Sequence, residues 1–92
     1  MVHTIRDRVK LLNRVRRIRG QVSAIEGLLQ EEADCEKVLG TIAACRGAID
    51  SLMAEVLEDH VRFHIVGPDV DPESDQARAA EQLIDLVRSY LK

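Results

Sequence analysis

The chain has 92 residues, enough for one small domain spanning residues 1–92. Hydrophobic residues make up 46% of it and aromatic residues only 2%, so its core is expected to be aliphatic and modest in size. Such a core favours oligomerisation. No apolar run approaches the ~20 residues of a membrane span. Two cysteines without a signal peptide argue against a disulfide scaffold, so a cytoplasmic protein is expected.

Charge is sharply segregated although the net charge is only -3. Residues 1–20 hold seven basic side chains against Asp7 alone, whereas residues 21–92 hold six basic and fifteen acidic ones. A basic segment on an acidic body is typical of phosphate binding. Six of the seven basic residues are arginines, whose planar fork suits phosphate oxygens and guanine edges. The sequence therefore favours nucleic-acid binding by this segment over the alternative of a solvated face.

The first predicted helix carries apolar residues at alternating steps of four and three, the repeat of a coiled-coil seam. Thr4 or Asp7 is suited to cap its start. The basic residues occupy the other faces of this helix, where they can reach a ligand without disturbing the core. The seam consists of Leu11, Val15, Ile18, Val22, Ile25 and Leu29.

The second predicted helix runs from about Asp34, a suitable cap, to Ile65, just before Gly67-Pro68. A second apolar stripe beside its seam continues at the same spacing into His60 and His64. The nearby acids Glu55, Glu58 and Asp59 are expected to be mostly solvated, with tuning of the histidines as their alternative role. The seam is Val38, Ile42, Cys45, Ile49, Leu52 and Val56, and the second stripe is Leu39, Ala43, Met53 and Leu57.

An acidic linker, residues 69–74, precedes the third predicted helix, with Asp71 and Pro72 suited to open it. No strand pattern appears, so the fold class is all-α: a three-helix protomer whose long helices form an antiparallel hairpin, which dimerises into a four-helix bundle. The chain has no glycine-rich phosphate loop, no nucleophile with a base at motif spacing, and no helix-turn-helix pattern. An enzyme is therefore the least supported class. The third helix presents Ala80, Leu83, Ile84, Val87 and Leu91 on one side.

Four side chains of metal-binding type stand out: His3, Cys35, His60 and His64. The four-residue spacing of the last two puts both imidazoles on one helical face. Cys35 and His60 lie 25 residues apart, roughly 38 Å along one helix, so they cannot share an ion within a protomer. Two antiparallel copies that cross near residue 48 or 49, where the residues are small, would form an identical site at each end. The alternative for the histidine pair is a solvated face, and Cys45 is assigned to the core.

Several motifs together resemble the CsoR/RcnR family of bacterial metal- and formaldehyde-responsive transcriptional repressors. They are the run 14–22 (RVRRIRGQV), Cys35, the run 42–48 (IAACRGA), the run 52–56 (LMAEV) and His60, and the likeness extends over the whole chain. The resemblance implies a flat tetramer, a dimer of dimers, that binds operator DNA and releases it when an inducer arrives. It also implies DNA contacts by Arg14 and Arg17, helped by Arg16 and Arg19, with a further contact from Arg46.

The resemblance also bears on the inducer. Copper sensors of the family carry Cys, His and Cys where this chain has Cys35, His60 and His64, and the missing second thiolate disfavours copper(I). Nickel and cobalt sensors carry His, Cys, His and His, which this chain matches from His3 onward. The resemblance thus implies nickel(II) or cobalt(II), with zinc a further candidate and the amine of Val2 a further ligand if the initiator methionine is removed. This chain has Phe63 where a nickel and cobalt sensor of the family carries an acidic residue.

Two rival functions remain open from the sequence. Formaldehyde sensors of the family share Cys35 and His60, but they use a proline after the initiator methionine where this chain has Val2. The rival from another class is a helical metal carrier without a DNA role, whose basic helix serves an acidic protein partner.

Overall fold

The computed structural model describes residues 5–67 and 69–91, except for the side chains of residues 5, 6 and 64–66. It contains three α-helices: α1 (Ile5–Gln30), α2 (Cys35–His60) and α3 (Asp75–Tyr90). A π-helical segment, Val61–Val66, continues α2 directly. The described residues contain no strand, so the predicted all-α, three-helix protomer is confirmed. No helix in the described ranges is long and apolar enough to cross a membrane.

The turn between α1 and α2 is short and is closed by backbone hydrogen bonds. The Glu32 amide donates to the Leu29 carbonyl at 3.2 Å, and the Ala33 amide donates to the Leu28 carbonyl at 3.0 Å. Glu32 takes a left-handed conformation with a φ of 55°, the only non-glycine in the described chain to do so. The side chain of Asp34 then accepts from the Lys37 amide at 2.8 Å, which confirms the predicted cap of α2.

Replacing Glu32 with glycine is expected to raise the free energy of unfolding by about 0.5–1 kcal/mol. Glycine adopts a positive φ without the steric penalty of about 1–2 kcal/mol that a side chain meets there. Its greater conformational entropy in the unfolded chain offsets part of this stabilisation. Chemical denaturation at fixed protein concentration measures the change. Glu31→Gly is the matched control, because it removes the same charge at an exposed neighbour without a positive φ. It should be neutral or destabilising, and equal stabilisation by both would contradict the strain argument.

The far end of α2 differs in part from the prediction. The helix is α-helical only to His60, and the last predicted turns are π-helical, so the expected α-helix to Ile65 is wrong in its final residues. The helical run ends at Gly67, whose φ of 91° is a conformation that side chains rarely adopt. The predicted stop at Gly67 is therefore confirmed. Pro68 and the predicted cap Thr4 lie outside the described residues.

The third helix begins later than predicted. Ser74 caps it by accepting from the Ala77 amide at 3.1 Å, so the predicted opening at Asp71 and Pro72 is wrong. The Asp71 side chain accepts from the Glu73 amide at 3.0 Å instead, and this local turn holds the chain outside the helix. The buried face of α3 then packs its Ala80 and Ile84 against Val61.

The protomer buries little apolar surface on its own. Its extents are 55 × 27 × 13 Å, so most apolar side chains lie near a surface. Cys45 is buried, as predicted for a core residue. Many large apolar side chains instead remain 38% or more exposed, and these include seam residues on both long helices. Contiguous exposed apolar surface of this kind marks a protein contact. The exposed seam residues are Val15, Val22, Leu29, Ile42 and Ile49.

Candidate functional site

Helix α1 presents the basic segment along its solvent-facing side. Arg16, Arg17 and Arg19 are exposed there, and Arg46 is exposed on α2. Arg16 donates to the Asn13 side chain at 2.8 Å, a contact within its own helix that leaves the guanidinium at the surface. These four predicted DNA-contacting residues are therefore sterically accessible to a phosphate backbone.

Arg14, the fifth predicted DNA contact, is placed differently. Its guanidinium binds the Glu55 carboxylate on α2 through Nη1 and donates to the Ser51 hydroxyl at 2.9 Å through Nη2. Lys10 Nζ lies 3.2 Å from the other Glu55 oxygen. The Arg14 side chain is 31% exposed and the Glu55 side chain 16%, so this ion pair is half-buried between the two helices.

The charge of Glu55 is stabilised by its two partners. Burial by itself would raise the pKa of this carboxyl, but the hydrogen bonds and positive charges of Lys10 and Arg14 outweigh burial and hold the pKa below its usual value. Glu55 was expected to be mostly solvated, and its role as an anchor for two basic side chains was missed. The available signal was the matching four-residue spacing of Lys10 with Arg14 and of Ser51 with Glu55 on helices predicted to be antiparallel neighbours.

A second ion-pair network joins the end of α2 to α3. Glu58 lies 3.2 Å from Arg62 Nη2 and also binds Arg88, whose pKa is raised by this hydrogen bond and by the carboxylate charge. Arg62 also lies 3.0 Å from Glu81 of α3. The acid expected to be mostly solvated thus fixes α3 beside the helix end that carries His60.

The predicted metal ligands do not come together within one protomer. Cys35 is the first residue of α2 and His60 is the last, and both are exposed. The 25 positions that separate them correspond to roughly 38 Å of helix. His3 lies outside the described residues, and His64 lies in the π-helical segment with its side chain outside the described part. In the described part of the chain no three potential ligands converge.

Cys35 and His60 nevertheless lie on the same side of α2. At 3.6 residues per turn, both fall within a sector of about 80° that also holds the exposed apolar residues of this helix. Cys45 is buried on the neighbouring face. One apolar stripe therefore begins at a thiol and ends at an imidazole. We call it the α2 stripe: Leu39, Ile42, Ile49, Met53 and Leu57, between 38% and 59% exposed.

Comparison with known proteins agrees with this architecture. The family model described as metal-sensitive transcriptional repressor matches residues 7–89. The transcriptional repressor RcnR of Salmonella paratyphi B is 44% identical, with all of both chains covered. An uncharacterized protein in the bioA 5′ region of Serratia marcescens is 50% identical, again with all of both chains covered.

A solved structure shares the fold. The Formaldehyde-Responsive Regulator FrmR from Salmonella enterica serovar Typhimurium, solved as a variant, superposes with a TM-score of 0.70 at 41% identity, covering 97% of this chain and 99% of the other. The family consists of transcriptional repressors, not enzymes, that oligomerise, bind operator DNA and respond to a metal ligand. Since the family model spans nearly the whole chain and full-length relatives exceed 40% identity, this protein belongs to the metal-sensitive transcriptional repressors of the CsoR/RcnR family.

Proposed function

We propose that this protein represses transcription by binding operator DNA through α1 and releases the DNA when nickel(II) or cobalt(II) binds between two protomers. The observation that carries the proposal is the α2 stripe, which has Cys35 at one end and His60 at the other. A second copy packed antiparallel on this stripe puts Cys35 of one protomer beside the partner's His60 at both ends of the dimer. Such an interface is isologous, so one contact creates two identical sites.

The donor set supports a borderline divalent ion. One thiolate with imidazoles suits nickel, cobalt or zinc, whereas copper(I) favours a second sulfur ligand that is absent here. Cys35 is exposed at the start of α2 and has no other described role, so it is available as a ligand. His64 follows His60 by four positions in the same helical run, and His3 completes the proposed set. Zinc fits these donors too and belongs in the same test.

The DNA-binding surface is proposed to be the basic side of α1. Arg16, Arg17 and Arg19 are exposed on α1. Arg14 lies on the same helix, at the side that contacts α2. Arginine contacts to phosphates release counterions, so binding should weaken steeply as salt rises. A dimer of dimers would place several copies of this surface on one operator, which multiplies the electrostatic contribution.

The relative FrmR motivates a second candidate. FrmR is named as a formaldehyde-responsive regulator, and it shares this fold at 41% identity. The proposed metal ligand Cys35 is also a nucleophile: its thiol and the amine of Val2, if the initiator methionine is removed, can condense with formaldehyde into a methylene bridge with loss of water. A carrier without a DNA role has no comparable support, because the family consists of repressors.

Fluorescence anisotropy of the reduced protein on its own promoter DNA tests the proposal. We expect binding that prefers this DNA over random DNA and release by nickel or cobalt at the lowest free concentration among nickel, cobalt, zinc, copper(I) and formaldehyde. The coupling free energy between inducer and DNA should be in the usual range of about 1–3 kcal/mol. Release by formaldehyde alone would replace the metal mechanism with the aldehyde one. Absence of specific DNA binding would refute the repressor itself.

A further inference from the structure

A four-residue network connects the DNA-binding helix to the helix that carries the metal ligands. Lys10 and Arg14 lie one turn apart on α1, and Ser51 and Glu55 lie one turn apart on α2. The contacts are Lys10 to Glu55 at 3.2 Å, Arg14 to Glu55, and Arg14 to Ser51 at 2.9 Å. One carboxylate therefore serves two cations from the basic segment.

We propose that Glu55 is an internal competitor for DNA phosphate, which holds Lys10 and Arg14 against α2 in the free protein and gives them up when the operator binds. This assigns Glu55 a role in setting how tightly the inducer-free repressor holds DNA. The inference rests on the proposed DNA-binding role of α1. Glu55 opposes DNA binding by α1, because it holds two of the basic side chains of this helix.

The geometry supports competition because Glu55 offers what a phosphate offers. A carboxylate and a phosphate both present charged oxygens to the guanidinium fork. Glu55 and Ser51 each accept one N–H of Arg14, one at each terminal nitrogen, so the two contacts hold the guanidinium toward α2 and away from a phosphate on the outer side of α1. Lys10 is 68% exposed and can turn from Glu55 toward solvent with little rearrangement. Arg14, at 31% exposed, must be drawn out from between the helices.

The competition persists at neutral pH. The pKa of Glu55 is pulled below its usual value, since hydrogen bonds and charge from Lys10 and Arg14 outweigh the opposing effect of burial. The carboxylate therefore stays ionised and also repels any phosphate that approaches the same edge of α1. Neutralising Glu55 should free two cations and remove one repulsive charge per protomer.

Position in the fold links this competitor to the inducer site. Glu55 precedes His60 by five residues in the same continuous α-helix, so the two move together. A metal that repositions α2 relative to α1 would shift Glu55 relative to Arg14. The ion pair is thereby a physical connection between metal binding and the availability of Arg14.

The test compares Glu55→Gln with the wild type in DNA anisotropy without inducer. Glutamine keeps the shape and a hydrogen-bond acceptor but loses the charge. We expect affinity to rise by about fivefold or more, the order expected from removing one competing ion pair per protomer. The dependence of log affinity on log salt should steepen by about one per released contact. Lys10→Gln should also cost more affinity in the Glu55→Gln background than in the wild type, because the two side chains are coupled.

Asp50→Asn is the matched control, since it removes the same charge from the same helix at a half-buried residue outside the network. It should change affinity by less than about twofold, because its loss releases neither Lys10 nor Arg14 from Glu55. Thermal melting checks that each variant folds. If Glu55→Gln does not fold, Ser51→Ala frees one Arg14 nitrogen without changing charge and should give a smaller increase.

Two results would overturn the inference. A folded Glu55→Gln protein that binds DNA no better than Asp50→Asn would show that Glu55 does not compete, while wild-type release by an inducer would leave the proposed function standing. Wild-type protein that binds no DNA would overturn the proposed function and this inference together.

Discussion

Replacing Cys35 with alanine is expected to abolish DNA release by nickel or cobalt while leaving the DNA affinity of the inducer-free protein within about twofold. The thiolate is the only sulfur donor in the proposed site, and its loss removes the ligand contributed by one of the two protomers. Cys35 is exposed at the start of α2, away from the basic side of α1, so its truncation leaves the core and the DNA-binding surface intact. A ligand that no longer bridges protomers has no means to favour one assembly geometry over another.

Anisotropy titration of the DNA complex with each metal measures this effect. Cys45→Ala is the matched control, because it removes the other cysteine, which is buried in the hairpin. This control should lose some stability but should still release DNA with metal. Full metal-induced release by Cys35→Ala would refute the intersubunit site.

A further variant separates the two inducers. The thiolate serves both the metal and the aldehyde mechanisms, so Cys35→Ala alone does not distinguish them. His64→Ala removes a proposed metal ligand that the formaldehyde chemistry does not use. We expect this variant to lose its response to nickel and cobalt, and a protein whose inducer is formaldehyde would keep its full response.

Replacing Ile49 with glutamate is expected to dissociate the proposed dimer. Ile49 lies near the middle of the α2 stripe and is 44% exposed in the protomer, so a carboxylate there remains solvated in the isolated chain. In an antiparallel dimer that crosses near residue 48 or 49, two such carboxylates would be buried close together. Burying unpaired like charges opposes association by several kcal/mol. Loss of the dimer should also abolish metal binding at micromolar concentration and weaken DNA binding at least tenfold, because each protomer would then bind alone.

Analytical ultracentrifugation of this variant gives the oligomeric state directly. Ser23→Glu adds the same charge at an exposed position of α1 off the α2 stripe and should leave the assembly unchanged. The protomer alone buries few large side chains, so the dissociated variant should also melt at lower temperature. An assembly that persists with Ile49→Glu would mean that the stripe is not the dimer contact.

Local patterns in the sequence determined the helices. The alternating three- and four-residue spacing of apolar residues predicted α1 and α2, and the short-range hydrogen bond of Asp34 and the positive φ of Gly67 match the predicted start of α2 and the end of its helical run. Such features depend on neighbours within one turn of helix, which is why sequence alone reveals them. The separation of Cys35 from His60 was likewise fixed by counting residues along a single helix.

The tertiary structure decided which polar groups meet. Arg14 binds Glu55 across 41 positions of sequence, and Glu58 binds Arg88 across 30, so the spacing of charges along each helix leaves open which side chains meet until the helices pack. The start of α3 had a local cause, since two capping side chains, Asp71 and Ser74, lie three residues apart and Asp71 accepts from the Glu73 amide in a turn that precedes the helix. Long-range contacts depend on how the helices pack, and that packing made Glu55, an acid expected to be solvated, the partner of Arg14, one of the two main predicted DNA contacts.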